Sequence, residues 1–255
     1  MKKAITLLLV GLVLCSFTRK KNNTLNDQNI KGRVKSIIEY ESMTVKGRQV
    51  TLGKKVYTYD DKGNQVLMRS YDAHDSNNFP DFRWDYKYNA NGDKTEENIY
   101  NPDGSLSWKT IFTYDKNRLL TEADRYHRDG SLEERYVYTN DAGGNKTGQT
   151  SYNFKGELNC KSVFKYHHSL LVEKEVDCGN LPGMGNVPLK GNYKFDDKNN
   201  LVEYLEYHRD DKTAVIRKIT YADFDRAGNW IRKTEVSDEN EIGELTTTLR
   251  EISYY

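Results

Sequence analysis

The sequence predicts an all-β protein, an antiparallel repeat sheet of consecutive hairpins that is twisted and curled, with partial closure on itself left open. Three observations carry this. An aromatic-x-aromatic pair recurs six times, two turn motifs alternate between the pairs, and no stretch supports a long helix.

The pairs are Tyr57/Tyr59, Tyr86/Tyr88, Phe112/Tyr114, Tyr136/Tyr138, Phe164/Tyr166 and Tyr193/Phe195, with a worn seventh copy ending at Phe224. Their second aromatics lie 24 to 29 residues apart, a period that marks a repeat architecture. Residues two apart in a strand share a face, so the pairs align as an aromatic stripe across the sheet. The first turn motif follows each pair, as in Tyr59-Asp-Asp-Lys-Gly-Asn64 and Phe224-Asp-Arg-Ala-Gly-Asn229. Gly and Asn accept the positive φ of a tight hairpin, and Asp closes the turn through its side chain. The second motif, Tyr-x-x-(Asp/Lys)-Gly-x-Leu, stands at Tyr100–Leu106, Tyr126–Leu132 and Tyr152–Leu158. Two turns per period leave two short strands, which such brief connections can only join antiparallel.

Composition narrows the function classes. Mean hydropathy is low at −0.88, yet 19 Tyr, 8 Phe and 3 Trp with a net charge of +1 do not fit a disordered chain. The mixed charges give no footprint for nucleic acid.

The N-terminus carries an address. Lys2 and Lys3 precede the apolar run Ala4–Leu14, which ends at Cys15. This is the layout of a secretory signal and is too short to span a bilayer as a helix. Leu12-Val13-Leu14-Cys15 resembles the bacterial lipobox, although a small residue is usual where Leu14 stands. The expected organisation is a signal over 1–15 with Cys15 lipidated, a polar tether over 16–30, and one β-repeat domain over 31–255. The protein then resides in the cell envelope and meets the membrane only through its lipid anchor. Conventional cleavage near Cys15 or Ser16, giving a periplasmic or secreted protein, is the alternative.

Export makes a disulfide between Cys160 and Cys178 feasible. A hairpin centred on Ser169 sets these cysteines opposite one another, with Lys161 facing Asp177 and Lys165 facing Glu173. Metal binding by the cysteines and nearby histidines matches no zinc spacing. The acidic loop Asp72–Asn78 lacks the EF-hand pattern.

Catalytic residues and cofactors are not expected. His127 and His208 occupy the same repeat slot, and the adjacent acids Asp60/Asp61, Asp196/Asp197 and Asp210/Asp211 belong to turns. The expected function is a non-catalytic envelope binding or scaffold module whose partner is a polysaccharide or a protein. Its candidate surface is Trp84, Tyr86, Tyr88, Trp108, Phe112 and Tyr114, although aromatic stripes more often form a core. The segment 179–189, which holds two of the four prolines and breaks the repeat, is a second candidate. The alternative is an envelope polysaccharide hydrolase or lyase with a dispersed site. Its mark would be acids and a base that depart from the repeat and converge in one cleft.

Tyr59-Asp60 with Gly63-Asn64, Tyr114-Asp115, and Phe224-Asp225 with Gly228-Asn229-Trp230 resemble the YD repeats of Rhs and teneurin shells over residues 33–236. The opening Lys31–Ser36 and the closing strand Arg250–Tyr255 resemble those of small exported YD-type proteins of bacterial envelopes. The resemblance implies a curling sheet of the kind that spirals into a cocoon, and a loose association with sugar binding. Seven periods are too few for a full cocoon, and no toxin segment follows Gly243, so a toxin role is not implied.

Overall fold

A computed structural model describes residues 24–73, 80–179, 190–207, 214–238 and 244–255. Cys15, most of the expected tether, the acidic loop beyond Ala73 and most of the 179–189 segment lie outside the described residues. Among the described residues, a single helical turn, α1 (Thr24–Asp27), precedes sixteen strands. These are β1 (Val34–Val45), β2 (Arg48–Tyr59), β3 (Gln65–Asp72), β4 (Phe82–Tyr88), β5 (Lys94–Tyr100), β6 (Leu106–Tyr114), β7 (Leu120–His127) and β8 (Leu132–Asn140). They continue as β9 (Lys146–Asn153), β10 (Leu158–His167), β11 (Leu170–Asp177), β12 (Lys190–Phe195), β13 (Leu201–Tyr207), β14 (Val215–Phe224), β15 (Trp230–Ser237) and β16 (Glu244–Tyr254).

Each strand pairs antiparallel with its sequence neighbours, and β16 returns to pair with β1 from Val34↔Tyr254 to Thr44↔Leu245. The sheet is therefore a closed barrel. The open spiral that the YD resemblance implies is not formed, because the last strand satisfies the edge of the first. Closure removes the unpaired backbone edges that a curled repeat would leave as pairing templates.

The turn code has a direct physical basis. Asp60 Oδ1 accepts from the amides of Lys62 and Asn64, at 3.0 and 2.8 Å, while Asn64 Nδ2 donates to Asp60 Oδ2. The same clamp recurs at Asp196 and Asp225, and Asn89 supplies a variant of it. Each of these turns also needs one left-handed residue. Gly63 and Gly228 supply it, and Asn199 does so at φ 64°. Register shifts flank both turn types, as at the β2–β3, β4–β5 and β5–β6 hairpins, which are bulged and more strongly twisted, whereas the β14–β15 hairpin keeps its register.

The aromatic stripe faces inward. Directly opposed residues share a face, and the register links Tyr57, Met68, Trp84, Ile99, Trp108 and His127 in one row across β2–β7. This is the concave face. On it, side chains two strands apart meet, as Tyr204 Oη to Glu235 (2.7 Å) and Asn159 to Glu134 (3.2 Å) show. Burial also pushes the Tyr57 and Tyr86 phenols well above their ordinary range. Phe224 is the exception among the repeat aromatics, being 47% exposed after the left-handed Asp223.

The outer face is charged. Glu96 bridges Lys87 and Lys109, Asp124 pairs with Arg135, and Glu173 bridges Lys165 and Lys190. The hydrogen bond from Lys87, aided by Asn98 and Lys109 against the effect of burial, holds the Glu96 carboxyl down at about 2. A lipid-facing barrel wall is an apolar band on which a mid-depth Lys or Arg costs about 2–4 kcal/mol. A wall laced with such pairs is built for water.

Two apolar clusters are buried in the barrel, one at the seam and one across the middle of the sheet. Leu25, Ile30, Val34, Ile37 and Tyr59 pack at the closure seam, and Phe164, Leu171 and Tyr193 pack across β10–β12. Leu25 and Ile30 come from the stretch expected as a tether. Residues 24–30 are part of the fold rather than a spacer, because these two side chains have an apolar site to fill. At the β10–β11 hairpin, Lys161 faces Asp177, Lys165 faces Glu173, and Cys160 and Cys178 are joined. The left-handed His168 and Ser169 make that turn.

Candidate functional site

The lumen is the candidate site, and its two ends differ. The Asp-clamped turns gather at one end, where the segment 24–31 crosses the barrel. Leu25 N donates to Gly63 O (3.2 Å), Tyr59 Oη donates to Gln28 (2.9 Å), and Thr24 Oγ1 accepts from the amide of Gln65 (3.1 Å). Further along, Asn29 Nδ2 donates to Lys198 O (2.9 Å) on the far side of the ring. Asn229 then clasps Lys31 through its amide and its carbonyl, at 2.7 and 2.9 Å. The β2–β3, β12–β13 and β14–β15 turns are thus tied together by the chain's own N-terminal segment.

The six candidate aromatics divide by their place along the lumen. Tyr88 and Tyr114 stand toward the bridged end and are used structurally: their hydroxyls donate to Gln65 O (2.7 Å) and Lys94 O (2.8 Å). Tyr86 and Phe112 flank the Lys94 ammonium, which lies 5.3 and 4.4 Å from their ring centres. Trp84 and Trp108 stand farther from α1. Trp84 meets Phe82 at 5.9 Å, and Trp108 meets His127 at 4.7 Å. All six are partly exposed to the lumen, unlike Tyr59 or Phe164, which are buried. By strand number the barrel falls in the range in which porins leave a channel between their inward side chains.

Beside Trp108 lies a polar group that the repeat pattern did not single out. Arg125 pairs with Glu134 (3.7 Å) and lies 5.4 Å from the Tyr136 ring centre. Tyr136 Oη and Asn159 Nδ2 both donate to Glu134. Burial raises the carboxyl of neighbouring Glu133, against the pull of Arg125 and His127. Alignment of the periods held a signal for this group. Arg125 stands where Ile99 and Ser151 stand in adjacent periods, and Glu134 where Trp108 and Cys160 stand. Elsewhere on the inner wall Arg217 pairs with Glu206 (2.7 Å), Arg250 with Glu39 (2.8 Å) and Lys55 with Glu41 (2.8 Å), while burial lowers the Lys174 ammonium. Among the described residues, no group of three His, Cys, Asp or Glu side chains is placed to hold a metal ion.

No family model matches the chain, and no curated protein matches it. Among solved structures, a porin-like protein from Bacteroides uniformis is similar at a TM-score of 0.60 and 11% identity, covering 88% of this chain and 99% of that one. This likeness shows the fold. The Photorhabdus luminescens Tc toxin pore shares a TM-score of only 0.32 over 12% of its chain, and a Vibrio parahaemolyticus lipoprotein-sorting domain 0.35. Neither value carries an argument. The YD-repeat resemblance does not extend to the fold, which is a closed barrel similar to the porin-like one. Its motifs are the sequence of an Asp-clamped hairpin, a local solution that any sheet of such hairpins can adopt, and here the hairpins build a closed barrel.

Proposed function

We propose that the chain is a non-catalytic binding module of the cell envelope, a barrel that receives an envelope polymer or partner segment at the end away from α1. A signal over 1–15 carries it out of the cytoplasm, and a lipid on Cys15 holds it at a membrane. The observation that carries this reading is the asymmetry of the lumen. Its own N-terminal segment bridges one end, while Phe82, Trp84 and Trp108 line the wall toward the other. Exposed aromatic rings are an effective way to hold a ligand face, since they bury large area with little loss of side-chain freedom.

Retention of the purified protein on immobilised envelope polysaccharide tests the reading. A Trp84→Ala/Trp108→Ala variant should bind roughly tenfold more weakly or worse, because two stacking faces are lost. Its melting temperature should change little, since both rings are partly exposed. Retention equal to that of the wild type would remove the lumen wall from the binding reading.

A further inference from the structure

We propose that the β6–β10 inner wall beside Trp108 is a subsite for a neutral glycan, with the sugar ring stacked on Trp108 and its hydroxyls held by Arg125, Glu133, Glu134 and Asn159. This rests on the binding-module reading above and names its ligand class.

The first ground is charge. Each inner-wall arginine among the described residues is matched by an inner-wall carboxylate: Arg125 by Glu134, Arg217 by Glu206 and Arg250 by Glu39. At this group the Arg125 guanidinium is already engaged by Glu134, so an acidic polymer would meet the Glu133 and Glu134 carboxylates here without a free guanidinium to receive it. A cationic one would meet the guanidinium groups. A neutral polyhydroxylated ligand suits the wall, because each hydroxyl both donates and accepts.

The second ground is unspent bonding capacity. Four covered side-chain polar atoms among the described residues have no hydrogen-bond partner, and two of them, Arg125 Nε and Glu133 Oε2, belong to this one group. One is a donor and the other an acceptor. Orphaned atoms of this kind are uncommon in folded proteins and call for an explanation. A hydroxyl pair reached by a small movement of these side chains supplies both partners. The third ground is position. His127 braces Trp108 at 4.7 Å, and Arg125 and Glu134 replace residues of other types at their repeat slots.

Burial raises the Glu133 carboxyl, and a sugar hydroxyl would give its covered oxygen the partner it lacks.

The test titrates the full mature protein, followed by tryptophan fluorescence, with cellohexaose, xylohexaose, mannohexaose and hexagalacturonate. At least one neutral hexaose should give saturable binding, and hexagalacturonate should not. Glu133→Leu should weaken that binding by roughly tenfold, the loss expected when a hydrogen bond to such a group goes. Glu133→Gln, which keeps a donor and an acceptor, should remain within about threefold of wild type, and both variants should melt as the wild type does. Binding of hexagalacturonate alone would overturn the neutral class. If it were still abolished by Trp84→Ala/Trp108→Ala, the binding-module reading would stand. An unaffected Glu133→Leu would overturn the subsite. Failure of all four probes would overturn the ligand class, and retention on envelope polysaccharide would then decide the binding module separately.

Discussion

Replacing Arg250 with methionine is expected to destabilise the barrel by about 3–5 kcal/mol, as breaking a buried ion pair does. Arg250 lies at the seam where β16 meets β1, and both its Nε and its terminal nitrogen reach Glu39 at 2.8 Å. The two side chains are only 13% and 12% exposed. The guanidinium also lies 3.3 Å from the Trp230 ring centre. Methionine keeps most of the volume but leaves the Glu39 carboxylate covered, with only the Tyr57 hydroxyl as a donor at 3.1 Å. Adding Glu39→Gln to Arg250→Met should recover part of the loss, because the stranded charge is then gone. Equilibrium denaturation of the three variants measures this. Equal stability of Arg250→Met and wild type would show that the seam does not depend on the pair.

Phe164→Ala is expected to cost about 3–5 kcal/mol, in the range for a buried aromatic truncation. Phe164 is 8% exposed, packs with Leu171 and Tyr193, and has the Lys146 ammonium 4.7 Å from its ring centre. Phe112 holds the same repeat slot but opens partly to the lumen, so Phe112→Ala should cost less, about 1–3 kcal/mol. The comparison separates core from platform within one stripe. Thermal or chemical denaturation that ranked Phe112→Ala as the more damaging would reverse that division.

Much of this architecture was legible in the chain. The period of the aromatic pairs located the hairpins, and the Asp, Gly and Asn positions located the turns, because those residues act locally through their own backbone and neighbours. Pairing of opposite charges gave the β10–β11 register for the same reason. Closure was not legible. Whether a curling sheet meets itself depends on accumulated twist and on a match between the first and last strands, Val34–Val45 and Glu244–Tyr254, which lie some two hundred residues apart in sequence. The YD resemblance failed on this point, since its motifs report one hairpin at a time.

At the site, the shared face of the six aromatics follows from their spacing, but their roles do not. Tyr88 and Tyr114 spend their hydroxyls on backbone carbonyls, which only the folded register shows. The segment 24–30 looked like tether because its polar residues outnumber Leu25 and Ile30. Those two side chains gain a site only once the barrel end exists. The Arg125–Glu134 group was missed for a related reason. A repeat is recognised by what its copies share, whereas a site is marked by where one copy differs.

Closure of the sheet turns a row of hairpins into a lumen with distinct ends, and it can be tested at the seam itself. Ser36 and Ser253 face each other there with their hydroxyl oxygens 2.6 Å apart. A Ser36→Cys/Ser253→Cys variant, oxidised mildly and digested without reduction, should yield by mass spectrometry a disulfide-linked peptide joining the first strand to the last. Two free thiols at these positions in the folded, monomeric protein would show that β1 and β16 do not meet, and that the barrel is open.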